Sequence, residues 1–68
     1  MMRKFIKGSS REHPVVGHNY FLNIIYQNGE HWDTKGQLTD IVQEFDTIAP
    51  RVMVVRTKDT DYIVDILY

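Results

Sequence analysis

From Thr34 to Pro50, TKGQLTDIVQEFDTIAP, the apolar residues recur with a helical period. At ~100° per residue, Leu38, Ile41, Val42, Phe45, Ile48 and Ala49 share an arc of roughly 120°, and the polar residues from Gln37 to Thr47 fall outside it. The pattern predicts one amphipathic helix over about 34–49. Thr34 and Gln37 have capping-box spacing, in which each side chain satisfies the other's free backbone N–H. Pro50 disfavours helical geometry at Ala49 and ends the helix. Gly36 in the first turn costs about 1 kcal/mol relative to Ala.

The segments around it carry strand periodicity. Asn19–Gln27 alternates, with Tyr20, Leu22, Ile24 and Tyr26 on an apolar face and Phe21, Asn23, Ile25 and Gln27 on a mixed one. Asn28-Gly29 marks a tight turn. Residues 30–33 then read as a brief returning strand that folds Trp32 inward. Residues 51–57 and 62–68 read as an antiparallel hairpin around the polar turn Lys58–Asp61, with Tyr62, Val64, Ile66 and Tyr68 as its better core face. Residues 2–7 suit a further short strand. Gly8, Ser9, Ser10, Pro14 and Gly17 give residues 8–18 the chemistry of a loop.

These elements combine into a two-layer α+β fold of order (β)βαββ. The helix lies on a three- to four-stranded, mostly antiparallel sheet. Five large apolar side chains on the helix, if fully buried, supply roughly 7–15 kcal/mol before entropy. One helix covers one sheet face. Phe21, Ile25, Ile63, Leu67 and Val54 or Val55 are left on the other as a contact surface.

Sixty-eight residues make one domain, 1–68, with a small core, and residues 1–18 as a basic, partly mobile N-terminal arm or edge strand. The sequence contains no cysteine, which excludes disulfides and zinc–thiolate sites. No apolar run approaches the ~18 residues of a membrane span, so cytoplasm is the expected location. Charge is unevenly placed. Residues 1–18 carry Arg3, Lys4, Lys7 and Arg11 against Glu12. Residues 19–50 carry Glu30, Asp33, Asp40, Glu44 and Asp46 against Lys35.

Candidate chemistry is sparse. His13, His18 and His31 match no metal-ligand spacing. Ser9, Ser10, Glu12 and His13 bring nucleophile and base types together, but on a loop without a rigid orienting partner. No catalytic, cofactor or metal site is therefore expected. The basic head with Tyr20 and Tyr26 offers phosphate-binding and stacking groups, yet no RNP-type run accompanies them.

The acidic helix face is the feature that local stability does not explain. Asp40 and Glu44 repel at i,i+4, Asp46 opposes the helix dipole, and no Lys or Arg lies between Gly36 and Pro50. A basic partner surface would account for it. The expected function is a small non-enzymatic protein-interaction module, as many virus-encoded inhibitors are. It would occupy a basic surface of a larger, nucleic-acid-handling protein through Asp40, Glu44 and Asp46, with Arg3, Lys4 and Arg11 as contacts on the opposite-signed head. Two alternatives stand beside it. One is an RNA-binding or RNA-cleaving protein that uses the basic arm with His13 or His18. The other is a homo-oligomer paired through exposed strand edges or the uncovered sheet face.

Overall fold

A computed structural model describes residues 3–68. Among them there are six strands and no helix: β1 (Lys4–Ser10), β2 (Asn19–Asn28), β3 (His31–Ile41), β4 (Glu44–Ala49), β5 (Val52–Arg56) and β6 (Thr60–Ile66). All six belong to one sheet of order β3-β2-β1-β6-β5-β4. Neighbours pair antiparallel except β1 and β6, which run parallel over seven residue pairs from Lys4↔Thr60 to Ser10↔Ile66.

The α+β expectation is thus overturned. The segment expected as an acidic, amphipathic helix over 34–49 is most of β3 and all of β4. Its apolar stripe does not converge on a core: Leu38, Ile41 and Ile48 are exposed, while Thr39 and Val42 are buried. The brief strand expected at 30–33 is the start of an eleven-residue one, and Trp32 faces solvent instead of folding inward. Pro50 does not stop a helix. With Arg51 it forms the two-residue connection between Ala49 and Val52, where Pro supplies its fixed φ and Arg51 takes the positive one (φ 61).

The N-terminal segment also sits differently. Residues 4–10, expected at an edge or in an arm, lie between β2 and β6 in the middle of the sheet. Met2, the start of the expected first strand, lies outside the described residues.

β3 and β4 occupy opposite edges of the sheet yet are consecutive in the chain. The crossing is made by two residues. Val42 donates its N–H to His18 O (2.9 Å) and accepts from Gly17 N–H (2.9 Å), on the β2 side. Gln43 donates to Arg56 O (2.8 Å), at the end of β5. Neighbouring residues bonded to opposite halves require the sheet to roll until its edges meet at that end. A single sheet can then bury its own inner face.

That face is supplied by Tyr20, Leu22, Val42, Met53, Val55, Tyr62, Val64 and Ile66, with Ile6, Ile24 and Phe45 packed against them. Tyr20, Leu22, Tyr62, Val64 and Ile66 come from faces the alternation marks as apolar. The covering layer is the rest of the sheet, not a helix. Gly8 is what lets β2 cross β1 closely. A Cβ there would stand 2.5 Å from Asn23 O and 2.9 Å from Leu22 Cδ1. β1 and β2 pair only at Gly8↔Ile24 and Ser9↔Asn23, and past that crossing β2 departs with β3 as a two-stranded ribbon.

Candidate interaction surface

The ribbon is built by local sequence. Gly29, with φ 65, and Glu30 form a two-residue loop closed by Asn28↔His31. Gly at the first central position, with positive φ there alone, is the pattern of a II′ turn, whose twist matches its flanking strands. The register then runs unbroken from Asn28↔His31 to Phe21↔Leu38. At its base, the ladder shifts between Asn19 and Phe21. The extra residue is held by Thr39. Its Oγ1 accepts from Tyr20 N–H (3.1 Å) and donates to Asp40 O (2.6 Å), and its carbonyl accepts from Asn19 Nδ2 (2.6 Å). Such a bulge increases local twist, which suits the point where β3 swings toward the opposite edge.

The register assigns each side chain a face. Phe21, Asn23, Ile25 and Gln27 of β2 share the outer face with Trp32, Thr34, Gly36 and Leu38 of β3. Trp32 is 69 % exposed, Leu38 64 % and Phe21 43 %. Phe21 lies across Gly36, where a Cβ would stand 2.7 Å from its Cζ. The other face carries Ile24, Tyr26 and Asn28 opposite Lys35, Asp33 and His31. Tyr26, expected in the core, is exposed. Trp32 and Leu38, the most exposed large side chains of the ribbon, were both expected inward. The alternation of Trp32, Thr34, Gly36 and Leu38 with His31, Asp33, Lys35 and Gln37 is the signal that marks them as one strand face.

The six residues expected to bind a partner are dispersed. Arg3 donates from Nη2 (2.6 Å) and Nε (2.9 Å) to Asp61 Oδ1, and from Nη2 to Thr57 O (2.7 Å). Glu44 and Asp46 lie on the outer side of β4 facing Arg56, with Glu44 Oε1 2.9 Å and Asp46 Oδ2 3.9 Å from Arg56 Nη1. The hydrogen bond that Arg56 donates to Glu44 is the main reason the Arg56 pKa is raised. Arg3, Glu44, Arg56 and Asp61, with Gln43, line an open cleft of about 360 Å³. Asp40 lines a neighbouring cleft with Ile41, Gln43 and Lys58. Lys4 begins β1 and Arg11 follows its other end, both exposed. The fold therefore unites Arg3 with Glu44 but leaves Lys4 and Arg11 apart. Arg3, Glu44 and Asp46 are matched within the chain, and exposed pairs such as Arg56–Glu44 are worth about 0–1 kcal/mol.

The remaining candidates have structural partners. Ser10 Oγ donates to Phe21 O (2.8 Å) and accepts from Glu12 N–H (3.1 Å), so its hydroxyl ties the loop to β2. His13 packs edge-on against Phe45 at 5.3 Å between ring centroids, with Nδ1 2.9 Å from Pro14 O. Tyr20 donates its phenol to Glu12 O (2.8 Å). Burial raises the pKa of both Tyr20 and Tyr62. His18 and His31 are exposed at the β2 entrance and the ribbon tip. Among the described residues, no three His, Asp or Glu side chains are grouped to hold a metal ion, and no helix is long and apolar enough to cross a membrane.

Comparison with known protein families, with curated proteins and with solved structures finds no match to this chain.

Proposed function

We propose that this chain is a small non-enzymatic interaction module that engages a larger protein through the outer face of the β2–β3 ribbon. The observation that carries the reading is the row Phe21–Leu38–Trp32: three large apolar side chains, all exposed, on one face of a ribbon with no third strand beyond Ile24. Trp and other aromatics dominate the desolvated centres of protein interfaces. A rigid ladder holds them in place before binding, so little ordering entropy is lost on contact. The acidic residues of β4 serve Arg56 and are not part of the proposed contact.

The test is capture of one defined partner from lysate by the intact chain, repeated with Trp32→Ala combined with Leu38→Ala. Both side chains are exposed, so the double variant should keep the far-UV circular dichroism of the parent. Loss of that same partner, by tenfold or more in affinity, is the expected result. Undiminished capture would remove the ribbon from the interface.

Exposed Phe5, Phe21, Tyr26 and Trp32 could also stack on nucleobases. The ribbon that carries Phe21, Tyr26 and Trp32 holds Glu30, Asp33 and Lys35, a mixed charge and not a basic one, which favours a protein. Salt-dependent binding of a labelled single-stranded RNA by the purified chain would reverse that choice.

A further inference from the structure

β3 is an edge strand eleven residues long. From Trp32 to Leu38 it has no proline and no register break, and its two charges, Asp33 and Lys35, are of opposite sign, so the edge is only partly blunted. The two-residue turn bonds Asn28 to His31. Bonded and non-bonded pairs then alternate along the ribbon. His31, Asp33, Lys35 and Gln37 therefore turn their N–H and C=O toward β2. Trp32, Thr34, Gly36 and Leu38 turn theirs outward, toward an unoccupied side.

We infer that this edge pairs antiparallel with β3 of a second copy of the chain, about a two-fold axis at Thr34. An isologous pairing must set outward-turned residues against outward-turned residues, so the axis falls on a residue. An axis at Asp33 or at Lys35 places that charge against its own copy, and like charges directly opposite are unfavourable. An axis at Gly36 sets Asp33 against Thr39 and leaves it unmatched. The axis at Thr34 sets Asp33 against the second copy's Lys35, and by symmetry Lys35 against the second copy's Asp33. Among the described residues neither makes an ion pair within the chain. The same register sets Trp32 against the second copy's Gly36, the residue over which Phe21 already lies and which presents no Cβ to resist a second ring. Thr34 meets its own copy, a favourable cross-strand pair.

The pairing joins two rolls into one continuous sheet. Because the two-fold stands across the sheet, both outer rows of Phe21, Trp32 and Leu38 lie on the same side. The inference does not depend on the proposed function. Asp33 and Lys35 lie on the opposite face from that row, so they can be altered without touching it.

Sedimentation velocity from low-micromolar to near-millimolar chain should show mass rising from 8.0 kDa toward twice that value. Asp33→Lys alone, or Lys35→Asp alone, converts two attractive pairs into two repulsive ones. Each should weaken dimerisation roughly ten- to hundredfold. The double exchange, Asp33→Lys with Lys35→Asp, should restore it to within about threefold. Thr34→Pro removes an outward N–H without touching the ladder to β2, and should give a folded monomer. A chain that stays monomeric at every concentration overturns the inference. So does a dimer indifferent to the single charge changes, or one that the exchange fails to rescue. Undiminished partner capture by Trp32→Ala combined with Leu38→Ala, with the dimer intact, would count against the proposed function alone.

Discussion

Gly8 sits where the roll is tightest, and replacing it by alanine tests the crossing of β2 over β1. Nothing in its φ demands glycine, since the positive-φ glycines are Gly17 and Gly29. The demand is steric. An added Cβ would meet Asn23 O at 2.5 Å, Leu22 Cδ1 at 2.9 Å and Asn23 C at 3.3 Å. Two of these three atoms are backbone, so relief requires β2 to move as a strand. That movement strains Gly8↔Ile24 and Ser9↔Asn23, the two pairs joining β1 to β2, and displaces Leu22, which is fully buried. Overpacking of this kind costs about 1–3 kcal/mol, offset by about 0.4–1 kcal/mol from the stiffer unfolded chain. A 68-residue domain holds only about 3–10 kcal/mol in total. At about 4–8 °C per kcal/mol, Gly8→Ala should lower Tm by roughly 5–15 °C. Gly36→Ala is the control. Its nearest obstacle, 2.7 Å away, is the tip of the Phe21 ring, which can swing into solvent, so its stability should stay within about 0.5 kcal/mol of the parent. Urea and thermal unfolding followed by far-UV circular dichroism measure both. Equal effects of the two substitutions, or a Gly8→Ala protein as stable as the parent, would refute the close crossing.

Three further outcomes follow from individual groups. Ser10→Ala strips a buried hydroxyl from both Phe21 O and Glu12 N–H and should cost about 1–3 kcal/mol in urea titration; a neutral result would mean that water replaces it. Arg51→Gly relieves the positive φ at the turn after Pro50 and should raise stability by up to about 1 kcal/mol, read as a higher urea midpoint. Burial raises the Tyr20 and Tyr62 pKa values in the folded chain, so the folded state holds these protons more tightly than the unfolded one. Their contribution is complete below the unfolded value of about 10 and is lost as pH climbs from there through the folded values. The urea midpoint should therefore fall above about pH 10, and Tyr62→Phe should flatten that fall.

The strands with unambiguous alternation were legible. Asn19–Gln27 is β2, and the hairpin expected over 51–57 and 62–68 is β5 and β6, shifted by a residue or two. Its inner face, Tyr62, Val64 and Ile66, is core. The pairing of β1 with β6, first strand against last, was not legible, because no local pattern encodes a contact between residues 4–10 and 60–66. Nor did the alternation alone distinguish a sheet covered by a helix from a sheet covered by itself. The dispersed site has the same origin: Asp40, Glu44 and Asp46 share a face only if the chain between them is helical. Leu38 and Trp32, the exposed row, gain meaning only from the register of a strand.

Residues 34–49 satisfied a helical period and yet carried their own evidence against it. As a helix they would hold Gly36 in the first turn, Asp40 and Glu44 in repulsion, and Asp46 against the dipole, each a cost of some tenths to about 1 kcal/mol. Six of the seventeen residues from Thr34 to Pro50 are β-branched: Thr34, Thr39, Ile41, Val42, Thr47 and Ile48. Such side chains lose rotamer freedom in a helix and fit a pleated strand. As strands, the same residues lose their penalties one by one. Gly36 makes room for Phe21, and Glu44 and Asp46 turn toward Arg56 across the β4–β5 pair. Asp40 sits in the bulge between the Phe21↔Leu38 and Asn19↔Ile41 pairs. Charges that seemed to need an external basic partner were instead signs that the secondary structure assigned to them was wrong. A local misfit in a predicted element is therefore evidence about the fold before it is evidence about binding.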